Sequence, residues 1–246
     1  MDRALYIGMT GASASLRAQG TLAHNLANVS TVGFKAELLR QETAPVEGPG
    51  LPTRFNVVVS GGGFDGAAGP LHETGNDLDI ALAEGRWLAV QDAQGQEALT
   101  RAGDLRLTPL GQLVTAGGLP VLGENGPVTI PPHQKLTIGA DGTVSIVPQG
   151  QGPETQANVA RLRIVDAADG AIDRGPDGLF RARPGEQTPA AVGNVLTTGV
   201  LEGSNVNPAD ALVQMIALSR QFEMHVKVLR TAEENGRAAS TLLRMA

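Results

Sequence analysis

Gly61, Gly63 and Gly66 stand at the spacing of a dinucleotide-binding glycine loop and follow an apolar run at 57–59, so phosphate binding is the first chemistry to weigh. That loop works only where a helix begins and its free amides point at the phosphate. Here Ala67, Ala68, Gly69, Pro70 and Leu71 follow, and no helical period appears. Asp77 and Asp79 would share one face of a strand and could form a carboxylate pair for acid–base work, but solvated acids on a strand face give the same pattern. The four histidines, His24, His72, His133 and His225, are scattered and match no zinc-binding helix pair. There is no cysteine, hence no disulfide and no thiolate metal site, and no Gly-x-Ser-x-Gly elbow occurs. The residues therefore support no catalytic centre, no cofactor and no metal.

What would position any site is a chain with helical heptads at both ends and short strands between. In the first 30 residues Leu5, Met9, Ala12, Leu16, Ala23 and Leu26 recur at alternating steps of four and three, interrupted by Gln19. Ala211, Met215, Leu218, Phe222, Leu229, Ala232, Ala239 and Leu243 do the same near the other end, with His225 and Gly236 on the stripe. Because the chain leaves the first helix into the middle and returns into the last, side-by-side helices run antiparallel. At 1.5 Å per residue they would be about 40 and 55 Å long. A two-helix rod that thin leaves much apolar surface open, to be covered by other copies or partner subunits.

The middle reads as β. Aromatics are 3% of the chain, while its 32 glycines and 15 prolines suit many short turns. Strands are expected at 55–59, 77–82, 87–90, 105–107, 113–115, 128–130, 135–138, 143–147, 161–165, 180–183 and 194–201, in a mainly antiparallel sheet or small barrel. The first helix should end near Asn28, before Gly33. Asn207 should cap the last one, with Pro208 in its first turn and Asp210 near its positive end. The amides of Asn25 and Asn28 could bond to a partner's backbone or merely act as local caps.

The expected class is thus α+β: long terminal helices forming a coiled-coil-like pair around a central antiparallel β domain. Residues 1–35 and 205–246 form the helical assembly domain, 36–73 an extended connector broken by Pro45, Gly48, Pro49, Gly50 and Pro52, and 74–204 the β-rich domain. The formal charge of −6 sits in the middle, with +2 on residues 1–40, +1 on 205–246 and −9 between, so no basic nucleic-acid face is visible. No apolar run is long enough for a membrane span, and the N-terminus lacks the pattern of a removable secretory signal.

Residues 23–35, Ala-His-Asn-Leu-Ala-Asn-Val-Ser-Thr-Val-Gly-Phe-Lys, resemble the signature of bacterial flagellar rod and hook proteins, usually Ala-Asn-Asn-Leu-Ala-Asn-Val-Ser-Thr-x-Gly-Phe-Lys. His24 replaces the usual Asn, while Asn25, Leu26, Ala27, Asn28, Gly33, Phe34 and Lys35 match. Residues 74–80, 100–103, 111–115 and 118–123 resemble the β domain of the same family, and 201–208 the stretch before its last helix. The opening Met1-Asp2-Arg3-Ala4-Leu5-Tyr6 and the short β region are similar to proximal rod subunits, with the distal rod subunit as competitor. The resemblance implies a structural, non-enzymatic subunit, exported unfolded by the flagellar type III apparatus without signal cleavage. It would join copies of itself and other rod proteins in the periplasm, its helices forming the inner tube and its β domain the outer layer of a torque-transmitting shaft. Leu5, Met9, Leu16, Leu26, Met215, Leu218, Phe222 and Leu229 are the expected interface carriers. The alternative is a self-contained binding domain or enzyme with a private two-helix stalk.

Overall fold

The fold is taken from a computed structural model that describes residues 2–45, 55–150 and 155–245. Gly48, Pro49, Gly50 and Pro52 of the expected connector, residues 151–154 and the side chain of Leu243 lie outside the described residues. Helix α1 spans Asp2–Ala27 and helix α2 spans Pro208–Met245. Between them come β1 (Glu37–Pro45), β2 (Phe55–Phe64), β3 (Leu71–Glu73), β4 (Ile80–Leu82), β5 (Arg86–Gln91), β6 (Glu97–Thr100), β7 (Leu105–Leu107), β8 (Leu113–Thr115) and β9 (Leu122–Gly123). The second half holds β10 (Gly126–Pro127), β11 (His133–Ile138), β12 (Thr143–Pro148), β13 (Ala157–Arg161), β14 (Ile164–Asp166), β15 (Ile172–Arg174), β16 (Phe180–Ala182), β17 (Leu196–Thr198) and β18 (Val200–Glu202). The class is α+β.

The chain divides into two units. The helical unit comprises Met1–Ala27, Glu37–Gly63 and Asn207–Ala246, and the β unit comprises Asn28–Ala36 and Phe64–Val206. In the helical unit α1 and α2 lie side by side, and β1 pairs with β2 in a two-stranded ribbon within the segment expected as connector. The glycine run at 61–66 starts inside β2 and opens no helix, so its amides are not arrayed at a helix N-terminus.

The β unit is a set of small sheets, the largest with five strands in the order β14-β5-β6-β16-β15. Strand β5 explains how it closes: Leu88 and Val90 point to an aliphatic core, Trp87 and Ala89 to an aromatic one, and all four are buried. A strand covered on both faces loses the polar–apolar alternation of a half-exposed one. The aliphatic core joins Leu88 and Val90 to Ile80, Leu113, Val144 and Ile164 from four other strands. In the aromatic core Trp87 packs 4.5 Å from Phe180 and edge-on to Phe64 at 5.7 Å, while its indole N–H donates to the Ala167 carbonyl.

The expected strand at 77–82 is shorter than its alternation suggests. Asp77 and Leu78 lie in a turn, only Ile80–Leu82 is a strand, and its three residues are all buried. The turn forms because Asn76 folds back, its side-chain amide donating to Asp79 Oδ1 at 3.0 Å. Asp77 is therefore exposed and Asp79 buried, and the two do not form a pair on one strand face. The expected strand at 161–165 is likewise two strands, β13 and β14, that pair with different sheets.

Candidate assembly interface

The seam between α1 and α2 is set by small residues. A Cβ added to Gly8 would lie 2.8 Å from Leu229 Cδ2, and one added to Gly11 would lie 2.5 Å from His225 Cε1. Since 8 meets 229 and 11 meets 225, the helices run antiparallel. On α1 Gly8, Gly11, Ser15, Ala18 and Asn25 are buried at steps of three, four and seven, and Ala12, from the expected stripe, and Ala14 are buried beside them. On α2 the sheltered positions run Ala211, Met215, Leu218, Phe222, His225, Leu229 and Ala232. Met215, Leu218, Phe222 and Leu229 thus lie on the stripe that meets α1. Small side chains on one helix let the large ones of the other seat against its backbone.

This displaces the α1 stripe expected from the sequence. Met9 is 56% and Leu16 52% exposed, one step around the helix from the glycines that form the seam. Leu5 and Leu26 are half-buried. The structure therefore does not bring Met9 and Leu16 against the large residues of α2, because a helix pair this close has room only for Gly, Ala and Ser between its axes. Tyr6 on α1 and Val213, Ile216 and Met224 on α2 are also exposed. Such a row of large apolar side chains is the mark of a surface awaiting a partner.

The family motif has two roles. Asn25 holds the end of α1 against β1: its Nδ2 donates to the Glu37 carbonyl at 2.9 Å and its Oδ1 accepts the Glu37 N–H at 2.8 Å. Both amide groups are thus satisfied within the chain. His24 Nδ1 lies 3.2 Å from Glu37 Oε2. Past Ala27, Asn28 takes the local role, its Oδ1 accepting from Thr31 Oγ1.

In the β unit Gly33 adopts φ +65°, and a Cβ there would sit 2.3 Å from the Arg101 carbonyl, so geometry and space both require glycine. Phe34 is buried beneath the Arg174 guanidinium, 4.4 Å from the ring centroid. Lys35 is 2% exposed, and its ammonium meets Glu202 Oε1 at 2.8 Å and the Ala67 carbonyl at 2.6 Å. Burial pulls the Lys35 pKa below its usual range, against the pull of Glu202. Burial alone would push the Glu202 carboxyl up, but Arg101 and the hydrogen bonds from Lys35 and Gly69 hold it below the ordinary carboxylate range.

Asn205 joins the same cluster, its Oδ1 accepting the Ala36 N–H at 2.7 Å and its Nδ2 donating to the Asp65 carbonyl at 2.9 Å. Sequence reasoning missed Gly8, Gly11, Arg101, Glu202 and Asn205 as structural partners. The last three lie in stretches that carry the family resemblance, but nothing local tells which distant residue each one meets. Asn207 does what its position announces: its Oδ1 accepts the Ala209 N–H at 3.0 Å at the start of α2.

The helix pair keeps large apolar side chains in water while the β unit closes on its own cores, a division that suits a subunit of an assembly. Comparison with known proteins names the assembly. Residues 5–35 match the family described as "Flagella basal body rod protein", 83–146 the "Flagellar hook protein FlgE/F/G D1 domain", and 197–242 the "Flagellar basal body rod FlgEFG protein C-terminal". The chain belongs to the flagellar basal-body rod protein family and is a structural subunit of the rod.

Among its relatives, the flagellar basal-body rod protein FlgF of Salmonella typhimurium is 44% identical over 251 residues, and that of Escherichia coli 44% identical over 253, each match covering the whole of both chains. A FlgG rod protein of Buchnera aphidicola is 31% identical over 260 residues, 95% of this chain and 97% of its own. FlgG is thus the weaker alternative. Among the described residues no helix is long and apolar enough to cross a membrane.

Proposed function

We propose that this subunit takes a proximal place in the rod and polymerises through its terminal helices, packed as a coiled-coil-like pair, with copies of itself and with neighbouring rod subunits. Residues 1–35 and 205–246 act as the assembly domain, 36–73 as the connector and 74–204 as the outer layer of a shaft that carries torque. The chain reaches the periplasm through the flagellar export route, without a cleaved signal, and works there without enzymatic chemistry.

The observation that carries this reading is the split use of the two helices. Their inner faces meet over Gly8 and Gly11, while Met9, Leu16, Ile216 and Met224 stay in water. Exposed apolar side chains along helices of this length gain their burial only from other chains. Leu5, Met9, Leu16 and Leu26 from α1, with Met215, Leu218, Phe222 and Leu229 from α2, are the proposed carriers: the α2 set fixes the pair, and the α1 set, with Met9 and Leu16 outermost, meets the neighbours.

Two substitutions test it. Phe222→Asp places a carboxylate in the seam without a partner and should abolish incorporation into rods while leaving the β unit folded. Met9→Asp should also block incorporation, yet leave the helix content of the isolated subunit unchanged, because its side chain lies outside the seam. Normal rods from either variant would contradict the proposal.

A further inference from the structure

Three charged side chains fill the most enclosed polar place in the β unit. Lys35 and Glu202 are each 2% exposed and Arg101 5%. Glu202 Oε1 accepts from Lys35 Nζ at 2.8 Å and from the Gly69 N–H at 3.0 Å, and Oε2 accepts from Arg101 Nε at 2.7 Å. The rest of the Arg101 guanidinium donates to Glu202 Oε2 as well and to the carbonyls of Leu82, Ala83 and Arg86, and Lys35 also donates to the carbonyls of Ala67 and Gly66. Every donor is used, and the two cations share one carboxylate. Asp169 acts on Lys35 only as the weakest of the electrostatic influences on it.

The three residues are far apart in the chain: Glu202 lies 167 positions after Lys35 and 101 after Arg101. Everything that brings Glu202 into place comes with its own segment. Strand β18 pairs Leu201 with His72 and Glu202 with Leu71, β17 pairs with β4, the Gly33 N–H donates to the Glu202 carbonyl, and the Gly203 N–H donates to Pro70. If the β unit closed without the Glu202 carboxylate, Lys35 and Arg101 would be two cations sealed from water, with only the weak pull of Asp169 on Lys35 to offset them, which costs far more than a lost contact.

We propose that Glu202 is the closing residue of the β unit: strands laid down earlier in the chain do not hold a stable packed state until Glu202 arrives to neutralise Lys35 and Arg101. A chain supplied from its N-terminus therefore stays open until Glu202 itself has arrived, and then the β unit closes in one event. The inference rests on the buried triad alone and stands apart from the place of the subunit in the rod.

The test uses the full-length chain, whose single Trp87 is 1% exposed in the aromatic core and reports the β unit. In refolding from urea with pulsed hydrogen exchange and mass spectrometry, residues 86–100 should gain protection in the same phase as residues 196–204. Protection of 86–100 in an earlier phase, while 196–204 still exchanges, would overturn the proposal. At equilibrium, Glu202→Gln keeps the shape and removes the charge, and should lower the folded-to-unfolded ratio by about a hundredfold or more. Lys35→Met should then cost less in the Glu202→Gln background than in the native chain, because it removes one of two uncompensated cations. Additive effects of the two substitutions, or a Trp87 transition that Glu202→Gln does not move, would contradict the charge argument.

Discussion

The two units of this chain solve the burial problem in opposite ways. The β unit encloses its aliphatic core, its aromatic core and even an ionic triad, with Trp87, Leu88 and Val90 shut from water. The helical unit buries mainly glycine, alanine and serine on α1 and leaves Tyr6, Met9 and Leu16 outside. The β unit spends its apolar residues on itself, and the helical unit leaves large ones of its own in water. The proposed assembly through the helices would use that division, one part folded in advance carrying another whose exposed apolar side chains are covered by neighbours.

The division can be broken from the β side most strongly. Leu88→Ala empties a site in the aliphatic core that is closed on all sides, and should cost about 2–5 kcal/mol in the urea transition of Trp87. The helical ellipticity of the isolated subunit should not change. A smaller but clear loss is expected for Gly33→Ala, where the left-handed backbone and the Arg101 carbonyl at 2.3 Å oppose a Cβ. Roughly 1–3 kcal/mol of strain should appear in the same transition. A variant that unfolds like the native chain would mean that the 28–36 loop is not held by the β unit.

Acid sharpens the same comparison. Glu202 has its folded pKa below the ordinary value of 4.5, so it contributes stability above that pH, which is lost as the pH falls through the folded value. Asp92 and Asp177, held low by hydrogen bonds from Arg181, act in the same direction. Asp104, pushed up by burial, acts in the opposite one. The Trp87 urea midpoint should therefore fall as the pH drops from 7 to below 4.5, and the gap between the native chain and Glu202→Gln should narrow over the same range. A gap that stays constant would show that the Glu202 charge contributes nothing. The smallest effect is expected at the helix start, where Asn207→Ala removes the cap of α2 and should cost about 1 kcal/mol of helix stability with the Trp87 signal unchanged.

How much of this was legible depended on the distance over which each contact acts. The α2 stripe was readable because Met215, Leu218, Phe222 and Leu229 are large and recur at steps of three, four and seven. The α1 seam was not, since counting large apolar residues leads to Leu5, Met9 and Leu16, while the contact with α2 is made by Gly8 and Gly11 one step away. The cap at Asn207 is local and was legible. Lys35 stood out as part of a motif, but its partners Arg101 and Glu202 are brought to it by strand pairings that no local pattern encodes. The alternation at 77–82 misled because Asn76 draws Asp79 inward and turns the first half of the run into a turn.

Limited proteolysis of the dilute full-length subunit, followed by intact-mass analysis, tests the central claim most directly, because chain ends that lack their burial are cut before packed ones. The account predicts that both ends are lost while a core from about residue 28 to about residue 206, the bounds of the β unit, survives. Resistance of the whole chain, with both helices intact at the same protease dose, would show that the helices are already fully housed within one subunit and would contradict it.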